Sequence, residues 1–163
     1  MIFEPVDGGL RLTIDDNSRE VVTHLLGELR GEIASAKRAG HADPAPHMKR
    51  LFPAAYHDDE KRNDEYRRLT HDDLADAHVR AIDDSMTMLA PGRVFHSGEI
   101  EQFVRSINAL RLVLGTVLDV SEDGEDEAET VEDEKGDDHT ALQRQIYDYL
   151  GWLLHASVEQ LNT

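Results

Sequence analysis

The run Asn108-Ala-Leu-Arg111-Leu-Val-Leu-Gly115 constrains the fold more than any other part of this chain. At helical spacing, Asn108, Arg111 and Gly115 fall at i, i+3 and i+7 and share one stripe. Phe103, Ile107, Leu110 and Leu114 flank that stripe on one side, Leu112 and Val113 on the other. A helix with so little face left for water has to sit centrally, against several other elements. A charged Arg within it requires a carboxylate or several acceptors, because an unpaired buried charge costs several kcal/mol.

The rest of the chain is read around that helix. Its 163 residues, 39% of them apolar, suit one compact domain spanning 1–163. No run approaches the roughly 20 apolar residues that a membrane helix needs. Met1-Ile-Phe-Glu-Pro5 lacks the basic-then-apolar pattern of a secretory signal, so a cytoplasmic protein is expected. Cysteine is absent, which excludes disulfides, thiolate zinc sites and thiol redox sensing within the chain.

Charge is distributed unevenly. Between Asp119 and Asp138 stand twelve acidic residues and one Lys, a net −11 of the chain's −17, leaving −6 for everything else. With almost no apolar content, this segment is expected to interrupt the domain as a disordered acidic loop at about 119–138. Composition favours a loop that simply keeps the chain soluble; the competing reading is an acidic arm for a basic partner. Calcium fits less well. Asp123, Glu125 and Glu127 alternate around Gly124, but the calcium loop of an EF-hand needs its Gly sixth and a helix on either side.

The periodicities predict a mainly α fold, a bundle of about four to five helices with a small N-terminal β-hairpin. Phe3–Val6 and Leu10–Ile14 flank the turn-forming Asp7-Gly8-Gly9, and the second run alternates apolar and polar residues. Asp15 to Ser18 offer cap oxygens to a helix whose inner face is Val22, Leu25, Leu26, Leu29 and Ile33. Gly40 to Pro46 breaks the chain, and Leu51-Phe-Pro53 forces a bend. His57 to Arg68 reads as a short solvated helix or turn. Thr70 with Asp73 resembles a capping box that opens the next helix, running to about Leu89, where Pro91-Gly92 ends it. Arg93 to His96 is short and extended and offers the hairpin a third strand. Ser97 is placed as the cap of the helix from Glu99 to about Leu118. A last helix from about Thr140 to Leu161 carries Leu142, Ile146, Leu150, Leu153 and Leu161 on its apolar face.

Gly115 and Gly151 sit inside helices, where each costs about 1 kcal/mol relative to Ala. The expectation is that two backbones cross there, with Tyr149 and Trp152 packing over the contact. Arg50, Arg67, Arg68 and Arg111 are candidates to converge as an anion pocket; the favoured alternative pairs them structurally with Glu65, Asp58 or Asp148. His71-Asp72-Asp73 with His78 is the best metal-like cluster, but zinc helices usually space ligands four apart, and His78 lies between Leu74 and Ile82. Core histidines are the favoured reading. No nucleophile elbow and no glycine-rich phosphate loop occurs. An overall acidic chain is a poor partner for nucleic acid.

Four blocks carry a family resemblance: Arg50-Leu-Phe-Pro-Ala-Ala-Tyr56; Glu65-Tyr-Arg-Arg-Leu-Thr70 with Asp73-Leu74; Asn108 to Gly115; and Tyr149-Leu-Gly-Trp-Leu153. With these the chain resembles the actinobacterial family known as domain of unknown function number 2017, whose members include AosR-type oxidative-stress regulators. The resemblance implies a cytoplasmic, mostly helical protein without known catalytic activity. Genes of the family tend to lie near that of a Clp protease adaptor, and some near sulfur-metabolism genes. The regulatory label implies a partner in the transcription machinery. The missing cysteine departs from the obvious redox sensor, so a regulator of this kind acts constitutively or senses by other means.

The resulting expectation is a non-enzymatic regulatory or adaptor protein that works by protein contact, without cofactor, metal, membrane or direct nucleic-acid partner. Its binding or structural residues are Arg50, Tyr56, Arg67, Arg68, Asn108, Arg111, Gly115, Gly151 and Trp152. The alternative is a small-molecule- or metal-binding enzyme using the neighbourhood of His71, Asp72 and Arg111. An enzyme requires those groups to converge in a pocket; an adaptor requires an exposed apolar groove.

Overall fold

In a computed structural model, residues 2–39, 45–52, 58–127 and 134–163 are described, with backbone alone for 39, 120–127 and 134–137. The chain begins with the expected hairpin. Strands β1 (Phe3–Val6) and β2 (Gly9–Leu12) pair antiparallel in the register Phe3↔Leu12 to Val6↔Gly9, which leaves Asp7-Gly8 as the turn. Gly8 has φ 91°, a left-handed conformation that glycine adopts without steric cost. Strand β3 (Val94–Phe95) adds to the other edge of β2, through Leu10↔Phe95 and Arg11↔Val94. Gly9 faces that edge so closely that a Cβ there would collide with the Phe95 carbonyl oxygen.

Among the described residues the main architecture is four helices: α1 (Asp16–Ala39), α2 (Glu60–Met88), α3 (Ile100–Glu127) and α4 (Glu134–Leu161). Asp15 caps α1, accepting from the Ser18 backbone N–H at 2.8 Å and its hydroxyl at 2.7 Å. These two bonds hold the Asp15 carboxyl below its usual pKa. The expected inner face of α1 is buried at Val22, Leu26, Leu29 and Ile33. Helix α2 packs on both α1 and α3, while the most extensive helix pairing is between α3 and α4. Where α2 meets α3, the buried Ser85 and Ser106 hydroxyls lie 2.9 Å apart, and Ser85 also reaches the Ala81 carbonyl at 2.7 Å. The sheet joins the bundle through aromatic edges, with Phe3 6.0 Å from Phe95 and 6.4 Å from Phe103 in T-shaped contacts.

Several predicted boundaries are corrected. Thr70 and Asp73 do not open a helix: α2 starts ten residues earlier, capped by Asp59, which accepts from the Arg62 N–H at 3.1 Å. Thr70 lies mid-helix, and its hydroxyl donates back to the Tyr66 carbonyl at 2.8 Å. The charged stretch 60–70 shows little apolar periodicity because it continues outward from a helix whose packing is decided further on. Ser97 is the first residue of a 3₁₀ turn, Ser97–Glu99; the cap is His96, whose N–H donates to the Glu99 carboxylate at 2.8 Å. The acidic run 119–138 is helical along its backbone to Glu127 and again from Glu134; residues 128–133 lie outside the described residues. Extension of an existing helix avoids the nucleation penalty, and Glu propagates it well. Leu142, assigned to the apolar face of α4, is instead 53% exposed, and Leu161 is exposed as well. Of the predicted break at Gly40 to Pro46, residues 40–44 lie outside the described residues, as does Pro53 of the predicted bend; a 3₁₀ turn forms at Pro46–Met48.

Candidate functional site

The opening stripe divides between solvent and seam. Asn108 is exposed, on the face of α3 that carries Glu101 and Arg105, so α3 keeps a wet side that the sequence reading did not allow it. Arg111 is half-buried and turns toward α4, where its guanidinium lies 4.6 Å above the Tyr147 ring. No carboxylate accepts from it among the described residues, and its Nε is buried without a hydrogen-bond partner. The expected internal ion pair is therefore replaced by a cation–π contact, which a carboxylate is not needed to form.

Both glycines serve this arrangement. A Cβ at Gly151 would stand 3.3 Å from Arg111 Nε, and one at Gly115 would stand 3.2 Å from Tyr147 Cε2 and 3.4 Å from Arg50 Nη1. The space at each glycine is filled by a side chain from another segment, not by a crossing backbone. Trp152 does not cover the contact either. It is 52% exposed, and it lies against Tyr149 with ring centroids 5.6 Å apart. Tyr147 went unnoticed in the sequence, although it stands one turn before Gly151, a spacing that places the two on one face.

Arg50 joins the same seam and pairs with Asp119 at 3.1 Å, both side chains largely exposed. Together with Gly115, Leu118, Arg144, Tyr147 and Asp148 they line a cleft of about 290 Å³. Its two arginines face two aspartates, so it carries little net charge. Arg67 and Arg68 do not line it; they lie on α2, half-buried and exposed respectively. Of the predicted anion pocket, then, only Arg50 and Arg111 approach one another, around Tyr147 and Gly115. Tyr56 lies outside the described residues.

The histidine pair belongs to a different part of the bundle. His71 is buried, and its Nε2 is 3.1 Å from the carbonyl of Ala36, in the last turn of α1. A ring N–H from α2 thus reaches a carbonyl in the last turn of α1 and ties the two helices together there. His78 approaches the Leu51 carbonyl at 3.4 Å. Between the two rings sits Phe52, 5.1 Å from His71 and 6.1 Å from His78, which pins residues 45–52 onto α2. Burial depresses the His78 pKa, the Leu51 carbonyl opposes this, and the charge of Arg105 adds to the depression. Asp72 is exposed, and Arg111 faces α4, so the three residues of the enzyme alternative are not brought together. Among the described residues no group of three or more His, Asp and Glu side chains is gathered around one point.

A larger concavity was not visible in the sequence. An open groove of about 1170 Å³ runs between the first half of α1, the end of α2 and α4. Val21, Leu25, Met86, Leu89 and Ile146 supply its apolar walls, while Asp16 and Glu20 stand on its lining as acidic residues. Arg19 organises one end: it donates to the Leu89 carbonyl at 2.6 Å and to the Leu12 carbonyl at 3.0 Å. The C-terminus of α2 is thereby tied to β2 and to the start of α1. Beside it, the Tyr149 phenol contacts Ser18; burial pushes its pKa up and the Ser18 contact works against that. An Arg in a first helical turn ordinarily reads as a solvated charge, and its partner seventy residues away leaves no local trace.

The molecule thus belongs to the mainly α class, four helices bearing a three-stranded antiparallel sheet. Within that class the chain is a member of the family described as Domain of unknown function (DUF2017), whose model matches residues 1–161. No curated protein and no solved structure shows significant similarity to it. Among the described residues no helix is long and apolar enough to cross a membrane.

Proposed function

We propose that this protein is a non-enzymatic cytoplasmic regulator that acts by docking a partner protein, and that the partner belongs to the transcription machinery. The observation supporting the reading is the groove between α1, the end of α2 and α4, with its apolar walls open to solvent. Its volume of about 1170 Å³ lies above the roughly 300–1,000 Å³ typical of small-molecule pockets. An open apolar concavity of that size is the signature of a docking face. On this reading the protein is an actinobacterial regulator of the AosR type, serving oxidative-stress transcription without a thiol of its own.

Site-specific photo-crosslinking in host cells tests the proposal. A crosslinking side chain at Thr23, on the groove wall, is expected to capture a component of the transcription machinery, whereas the same group at exposed Asn108 captures none. Equal capture at both positions, or capture of no such component at Thr23, would remove the reading.

A further inference from the structure

We infer that the groove between α1, the end of α2 and α4 receives a cationic amphipathic helix of the partner protein. The inference rests on the groove being the docking face and adds the chemistry of what docks there. The walls are suited to the apolar stripe of a helix. Leu25 comes from α1, Met86 and Leu89 from the end of α2, and Ile146 from α4. On α4, Ile146, Tyr149 and the exposed Trp152 follow at three-residue steps, each neighbouring the next, so apolar surface leads away from the groove around the helix.

Charge selects among such helices. Asp16 and Glu20 line the mouth and are exposed, with Asp15 beside them. The one arginine in the lining, Arg19, turns its guanidinium inward to the Leu89 and Leu12 carbonyls and so presents its charge to the α2 terminus instead of the opening. His24, the other basic-type residue there, lies against Glu28 at 3.3 Å. The chain as a whole is acidic too, with a formal −17, which favours a cationic partner at long range. A second copy of this chain is thereby a poor occupant, because it would bring the same acidic mouth against itself. Lysines or arginines flanking an apolar stripe complement this rim and gain from long-range attraction.

Trp152, the single tryptophan of the chain, gives a direct readout because it borders the surface through Tyr149. The probe is a tryptophan-free synthetic peptide of about 18 residues, long enough for a helix, with Leu on one face and Lys on the other. Its control keeps every Leu and replaces Lys with Glu. Titrated into the full chain at moderate salt, the Leu/Lys peptide is expected to shift Trp152 emission to the blue and saturate. The Leu/Glu peptide should bind weaker by roughly a hundredfold, and the double variant Asp16→Lys/Glu20→Lys should weaken the Leu/Lys peptide by roughly tenfold, one or two steps of about 1.4 kcal/mol.

Equal affinity for the two peptides overturns the inference. So does Leu/Lys binding that ignores the double variant, since that would place the peptide on the acidic run 119–138. A concentration-dependent dimer, seen by sedimentation and displaced by the peptide, would make a second copy the occupant and overturn it too. A partner crosslinked from Thr23 through an acidic segment would defeat this charge rule while leaving the docking proposal standing.

Discussion

Replacing Arg111 by Met separates two physical accounts of the α3–α4 seam by the sign of the result. Arg111 lies 4.6 Å over the Tyr147 ring and fits beside Gly151, with its Nε buried and unpartnered. Removing the guanidinium forfeits a cation–π contact worth about 0.5–1 kcal/mol at a partly exposed site. It also removes an unsatisfied buried N–H, a penalty of about 1–3 kcal/mol. The thioether of Met, of similar reach, regains about 0.3–1.5 kcal/mol against the ring. Arg111→Met is therefore expected to be neutral or to stabilise the protein by about 1–2 kcal/mol. At this chain length each kcal/mol moves the melting midpoint by about 2–4 °C. An ion-paired Arg111 would behave oppositely, losing about 3–5 kcal/mol when its carboxylate is left alone. Urea denaturation followed by circular dichroism, with thermal melts alongside, decides between them. A loss above about 3 kcal/mol in Arg111→Met would refute the cation–π account, because that contact supplies no more than about 1 kcal/mol whereas a stranded charge costs about 3–5 kcal/mol.

Other perturbations probe other links. Phe52→Ala empties the space between His71 and His78 and should cost about 3–5 kcal/mol, with amide exchange accelerated first in residues 45–52; unchanged exchange there would mean the two rings do not hold the segment. Gly151→Ala should raise stability by up to about 1 kcal/mol, since only the flexible Arg111 side chain must yield; a loss of about 2 kcal/mol or more would restore the crossing-backbone account. His78 has a folded pKa below its unfolded 6.5, so the unfolded chain binds more protons once the pH drops under that value. Stability from this group is present above pH 6.5 and is lost as the pH falls toward the folded value. The urea midpoint should decline between pH 7 and pH 5, and His78→Gln should decline less; identical slopes for the two proteins would rule His78 out as the cause.

What the sequence determined on its own is what periodicity and local chemistry encode. The alternation of Leu10–Ile14 around a glycine turn specified the hairpin, the inner residues of α1 declared their face, and extended Val94-Phe95 joined the sheet as expected. Four short blocks were enough to point to the family, because their order along the chain is specific even where each alone is not. Local signals failed wherever long-range contact outweighs them. Thr70 and Asp73 look like a helix start, yet the helix runs through them because the packing from His71 onward and the Asp59 cap govern it. The stripe 108–115 showed that Arg111 lies at the α3 interface but not what it touches, since a cation is satisfied by a carboxylate or by an aromatic face, and only the fold brings Tyr147 there. The groove left no signal, because its walls come from three helices and its tether, Arg19, bonds carbonyls at residues 12 and 89. Backbone carbonyls have no sequence identity, so contacts to them are invisible until the tertiary structure chooses which ones are within reach.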